Sequence, residues 1–197
     1  MCGEALPAIL RQAQHDSPFI TLSVIQSYID NQMDTNLYLN IFQNSLNRIH
    51  KQDFSQKQLE LKVGVWLDSV VLKIQKPAWI NHAITTTPFK ESIFFSIWLN
   101  DASIKESKLL YNIHALKLRQ LPGYKIQSRE FAEAFRLRFK AYQDQWPNVS
   151  MAYGPLTLME GYVNIDAGHF EHVIIELAYK FLEIEFIIDE LLAERKK

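Results

Sequence analysis

Residues 169–195 constrain the fold more than any other stretch of this chain. Phe170, Leu177, Ile184 and Leu191 recur every seven residues, and Ile174, Phe181 and Ile188 recur at the same interval beside them. That spacing predicts one long helix. Ile175, Leu182, Phe186 and Ile187 widen the apolar band beyond a single stripe. A helix apolar over so much of its circumference must be covered on more than one side. A sheet of the same chain can cover one side. N-terminal helices, or a second copy in a two-fold homodimer, can cover the other.

The remaining segments supply candidates for both covers. Residues 1–17 lack a period and read as a loose lead-in. A helix is expected after Ser17-Pro18, with Leu22, Ile25 and Ile29 at helical spacing. Asp34 or Thr35 caps a second helix with Leu37, Ile41, Leu46 and Ile49 on its buried side. Residues 55–76 fit two periods. Leu59, Val63, Trp66, Leu67, Val70, Val71 and Ile74 share a helical face, whereas Leu61, Val63, Val65 and Leu67 alternate as in a strand. The helix is preferred because the alternation breaks at Asp68-Ser69.

After a loop at 77–90 the pattern changes. Ser92–Leu99 and 108–119 read as two strands of a hairpin, with Tyr111, Ile113 and Ala115 facing one way and Asn112, His114, Leu116 and Leu118 the other. Ser128 caps a helix whose Phe131, Phe135, Phe139, Tyr142 and Trp146 form an aromatic stripe. Residues 149–165 complete a small sheet. The expected fold class is therefore α+β: N-terminal helices, a small antiparallel sheet, and two amphipathic helices packed on one face. In this reading 18–197 is a single domain, with 18–76 its helical part and 91–197 its sheet-plus-helix part.

Apolar residues make up 48% of the chain and charged residues 22%, which excludes disorder throughout. No run of eighteen apolar residues suggests a membrane span. The single cysteine, Cys2, cannot form an intramolecular disulfide, and no signal-peptide pattern opens the chain, so a cytoplasmic location is expected. The opening Met1-Cys2-Gly3 resembles class II glutamine amidotransferases and the SRAP abasic-site proteins, which use a cysteine made N-terminal. Neither His-Arg-Gly nor Asn-Ala-Arg-Ala-Glu follows here, so Cys2 is read as an ordinary surface cysteine.

Charge is distributed unevenly. Residues 105–140 carry a net +6 and residues 141–194 a net −9, within a chain of net −1. Lys117, Arg119, Arg129 and Arg136, with His114 on the second strand of the hairpin, form a candidate ligand-binding face. Guanidinium forks suit phosphate and carboxylate oxygens, so an anionic ligand or nucleic acid is the expected partner. The acidic last helix competes for the same charges. His169, His172 and Glu176 share a helix face and form a candidate metal site, with Asp166 upstream.

No phosphate-cradling glycine loop, nucleophile elbow, H-E-x-x-H or C-x-x-C is present, and no cofactor is expected. Two functions follow: a binding or interaction protein that engages an anion through the basic face, or a small metal-dependent hydrolase using His169 and His172.

Overall fold

The valine-rich stretch after Gln58 is a β-hairpin, which corrects the helix expected over 55–76. Strands β1 (Glu60–Trp66) and β2 (Ser69–Gln75) pair antiparallel, with Val63 opposite Leu72 and Trp66 opposite Ser69. Leu67 and Asp68 form the two-residue turn, both at positive φ of 48° and 58°. Such turns match the twist of the flanking strands. The interruption at Asp68-Ser69 is thus the turn itself. A short helix, α2 (Lys51–Gln56), immediately precedes the hairpin.

This structure, a computed structural model, describes residues 33–82, 92–165 and 169–197. The lead-in, Cys2, the helix after Ser17-Pro18, most of the loop before Ser92, and Asp166 lie outside the described residues. Asp34–Lys197 forms one compact unit.

The sheet is a meander of five antiparallel strands in sequence order. β3 (Ile93–Leu99), β4 (Lys108–Ala115) and β5 (Thr157–Asn164) continue it from β2. Between β3 and β4 the Asn100-Asp101-Ala102-Ser103 turn signal becomes a short helix, α3 (Asp101–Lys105). Asn100 and Ser103 close a reciprocal capping box at its start. The 149–165 segment supplies one strand, joined by a single bridge from Ser150 to Glu160.

Three helices pack on one face of the sheet. In α1 (Thr35–Arg48) the Asp34 carboxylate accepts from Leu37 N, as expected of a cap. Helix α4 (Ser128–Phe139) is followed by a 3₁₀ turn at Gln143–Gln145, so the aromatic stripe spans two elements and not one. Phe131, Phe135, Phe139 and Trp146 are nonetheless all buried. The last helix, α5 (Phe170–Ala193), contacts α1, α4 and β3. Phe181 stacks on Phe95 with ring centroids 4.6 Å apart and planes 5° apart. The Ile174, Leu177, Phe181, Ile184, Ile188 and Leu191 stripe of α5 is buried inside the chain, while Phe186 stays exposed and Ile175 and Leu182 are half-buried.

A buried ion cluster locks α5 to the end of β2. Lys76 bridges Glu185 at 2.5 Å and also Asp189, while Lys57 reaches the other oxygen of Glu185 at 2.9 Å. Trp79 Nε1 donates to Asp189 at 2.9 Å. Lys76 and Glu185 are both buried, so the charges are tolerable only as a paired set. Removing one partner leaves the rest under-compensated. We expect Lys76→Met to lower unfolding free energy by about 3 kcal/mol in urea titrations. The double variant Lys76→Met/Glu185→Met should recover most of that loss; an equal loss in both would show that the cluster adds net stability beyond mutual compensation.

Candidate ligand cleft on the sheet

Alternation along each strand sends Val70, Leu72, Ile74, Phe95, Ile97, Tyr111 and Ile113 into the helix-covered core, where all seven are fully buried. The residues between them face the other way. There they line a cleft of about 410 Å³, which Trp66, Leu67, Val71, Trp98, Leu116 and Glu160 help to wall.

Strand register sorts the floor of this cleft into rows. One row is polar across four strands: Lys73 lies opposite Ser96, Ser96 opposite Asn112, and Asn112 opposite Glu160. The row on one side reads Gly64, Val71, Trp98, Leu110 and Tyr162. On the other side Phe94 faces His114, and His114 faces Thr157. A polar stripe therefore runs between two mainly apolar ones.

The polar row is hydrogen-bonded along much of its length. Ser96 Oγ donates to Asn112 Oδ1 at 2.5 Å, and Asn112 Nδ2 donates to Glu160 Oε2 at 3.4 Å. Tyr153 OH donates to Glu160 Oε1 at 3.2 Å. At the far end the Lys73 ammonium stands 4.7 Å from the Trp66 ring centroid and 4.6 Å from that of Phe94. Aromatic faces stabilise a cation at this range. Gly64 makes the Trp66 arrangement possible: a Cβ there would come within 2.8 Å of the indole. The Trp98 indole N–H, at the cleft wall, is buried without a hydrogen-bond partner among the described residues.

His114 is the one sequence-predicted ligand residue that lines the cleft. Its ring lies 5.2 Å from Phe94, and Nδ1 lies 3.4 Å from the Thr157 hydroxyl. Burial holds the imidazole below its ordinary value of 6.5 and the Lys73 charge acts the same way, against the Leu156 backbone and Glu160.

The other predicted residues go elsewhere. Arg136 is committed within the fold: its Nη2 donates to the carbonyls of Tyr153, Gly154 and Thr157 at 2.8, 3.0 and 2.9 Å, and Nε donates to Leu158 at 3.2 Å. It pins the segment that carries Tyr153 and Thr157 to the cleft edge. Lys117 and Arg119 are exposed around the 3₁₀ turn Leu118–Gln120 that follows β4, and Arg129 is exposed in the first turn of α4. Part of the basic middle does meet the acidic end, because Arg138 pairs with Glu190 at 3.2 Å and with Glu194. His169, His172 and Glu176 are exposed at the start of α5. Among the described residues no group of three or more His, Cys, Asp or Glu gathers in metal-holding geometry.

Lys73, Ser96 and Glu160 were not singled out by sequence. The available signal was a polar residue interrupting an apolar strand: Lys73 within Val70–Ile74 and Ser96 within Ile93–Leu99.

The chain matches no protein-family model, no curated protein and no solved structure. Among the described residues no helix is long and apolar enough to cross a membrane.

The buried imidazole gives a pH signature. Unfolded His114 titrates near 6.5 and folded His114 below that value. At higher pH both states are neutral and the group contributes no pH dependence. As pH falls below 6.5 the unfolded state takes up the proton first, so stability is lost. We expect His114→Gln to lose less unfolding free energy than the wild type when urea titrations at about pH 7.5 and 5.5 are compared. Parallel losses in the two proteins would contradict this burial.

Proposed function

We propose that this protein is a non-enzymatic binding protein that takes a small, largely apolar ligand in the sheet-face cleft. The observation that carries the reading is the polar Lys73–Ser96–Asn112–Glu160 row set between aromatic rows in a cleft of about 410 Å³. Small-molecule sites have this character, an apolar lining with a few fixed polar groups that set orientation. The hydrolase alternative draws no support from His169, His172 and Glu176, which belong to no metal-holding group among the described residues. The proposal takes the protein as cytoplasmic, on its cysteine usage.

The test uses N-phenylnaphthylamine, a neutral flat probe that fluoresces in apolar surroundings. Saturable binding with energy transfer from tryptophan is expected. Trp98→Ala should weaken it about tenfold, the equivalent of losing ~1.4 kcal/mol of wall contact. Leu137→Ala, on the exposed side of α4, should leave it unchanged. Equal binding by the wild type and Trp98→Ala would sink the cleft as the site.

A second reading keeps the anionic partner, either a small ligand or nucleic acid. It is favoured by the end of the chain, where Lys125 N donates to Arg195 O at 2.8 Å and Lys197 N donates to Gly123 O at 2.9 Å. Lys196 and Lys197 thus stand beside the turn that links Arg119 to Arg129. Salt-sensitive oligonucleotide binding that weakens in Arg119→Ala and Arg129→Ala is expected on this reading. Binding indifferent to salt and to both changes removes it.

A further inference from the structure

We infer that β1 is an interaction edge whose occupant is a second copy of this chain, added antiparallel about a two-fold axis at Val63. The two edges of the sheet are treated very differently.

The β5 edge is closed. Its outward carbonyls are claimed in turn: Arg136 Nε donates to Leu158 O at 3.2 Å, Ser150 N to Glu160 O at 2.7 Å, and Asn148 Nδ2 to Tyr162 O at 3.1 Å. Glu160 N donates in return to Ser150 O at 3.0 Å. Little of that strand is left to template another chain.

The β1 edge is bare. The tight turn at Leu67-Asp68 makes Trp66 and Ser69 a hydrogen-bonded pair. Such pairs alternate along an antiparallel ladder, so Gly64, Lys62 and Glu60 also spend their main-chain groups on β2. Leu61, Val63 and Val65 point theirs away from the sheet, and among the described residues no strand or bridge pairs with β1 on that side.

The side chains of these three are under-covered as well. They lie on the helix-covered face, opposite Ile74, Leu72 and Val70, which are fully buried. Yet Leu61 and Val63 are only half-buried and Val65 is 48% exposed. β1 contains neither a proline nor a bulge, two common means of blunting an edge.

The charge pattern of β1 suits its own copy. Outward-pointing residues must meet outward-pointing residues, so the allowed registers differ in steps of two residues. With the axis at Val63 the whole strand overlaps its copy. Val63 then meets Val63 and Leu61 meets Val65, so the under-covered side chains cover one another. On the other face Lys62 falls opposite Gly64 and Glu60 opposite Trp66, and no charge faces a like charge. One step either way moves the axis to Lys62, which then opposes its own copy, or to Gly64, which sets Glu60 against Asp68. Like charges directly opposed across a ladder destabilise it. The pairing also terminates. It is two-fold, and with the β5 edge closed it leaves no bare edge from which to grow.

The test is sedimentation together with site-resolved amide exchange on the full chain, from about 10 µM to about 1 mM. A monomer–dimer equilibrium is expected, with exchange at Leu61, Val63 and Val65 slowing several-fold as dimer accumulates. Val63→Pro removes an outward N–H and no bond to β2, so it should stay folded and sediment as a monomer. A protein monomeric throughout the range would overturn the inference. So would a dimer in which these three amides stay unprotected, because another surface then makes the contact. Protection already present in the monomer would show that this chain covers its own edge, and a dimer persisting in folded Val63→Pro would count equally against the pairing. The wild-type measurements decide the question even if the proline variant does not fold.

Discussion

The seating of α5 across the sheet fixes everything else. At its centre Phe181 lies flat on Phe95 and meets Trp79 edge-on, with centroids 6.3 Å apart. Full burial of one such side chain is worth about 1.5–3 kcal/mol. One turn further on, Glu185 reaches Lys76, and a buried ion pair tolerates little displacement because a stretched one leaves desolvated charge. The aromatic contact sets which side of the sheet is covered, and the ion cluster sets where along it the helix lies. Strand geometry then leaves no choice about the remaining side chains: the neighbour of each core residue points away from α5.

That second face differs from the covered one in chemistry. A sheet needs apolar residues where helices cover it. It has no architectural use for a lysine, a serine, an asparagine and a carboxylate placed in register. Their mutual hydrogen bonds limit the cost of holding polar groups away from water. Tyr111 and Gly161 illustrate the contrasting logic of the covered face. A Cβ at position 161 would overlap the Tyr111 ring, which instead fills the space and donates to Pro147 O at 2.6 Å. There, shape decides the residue; across the sheet, charge and polarity do.

The sequence made the fold class legible because its long periodic segments agree with their surroundings. The α5 band and the β3–β4 alternation as far as Ala115 match their elements, and the aromatic stripe is buried although it runs from α4 past a 3₁₀ turn. The misreading of 55–76 has a physical origin. A two-residue turn is too short to interrupt an apolar pattern visibly, and Leu67-Asp68 lacks the Asn-Gly or Asp-Gly signature that would have marked it. The cleft was illegible for a different reason. Its four polar residues belong to four strands, and their proximity follows from register across ladders, which spacing along one segment cannot reveal. Asn112 and His114 were visible as polar residues on a strand; their partners were not. Arg136 was noticed for its charge, but backbone carbonyls that carry no sequence signature claim it.

The order of the strands has a consequence for how the chain acquires its structure. Every ladder joins neighbours in sequence, so loop closures are short for β1–β2 and β3–β4 and longer between β2 and β3 and before β5, where α4 intervenes. The first four strands are complete by Ala115, whereas the side chain that seals Phe95 arrives at residue 181. During synthesis from the N-terminus, one side of a finished sheet must wait for its cover. An apolar face held open in this way invites association with other chains.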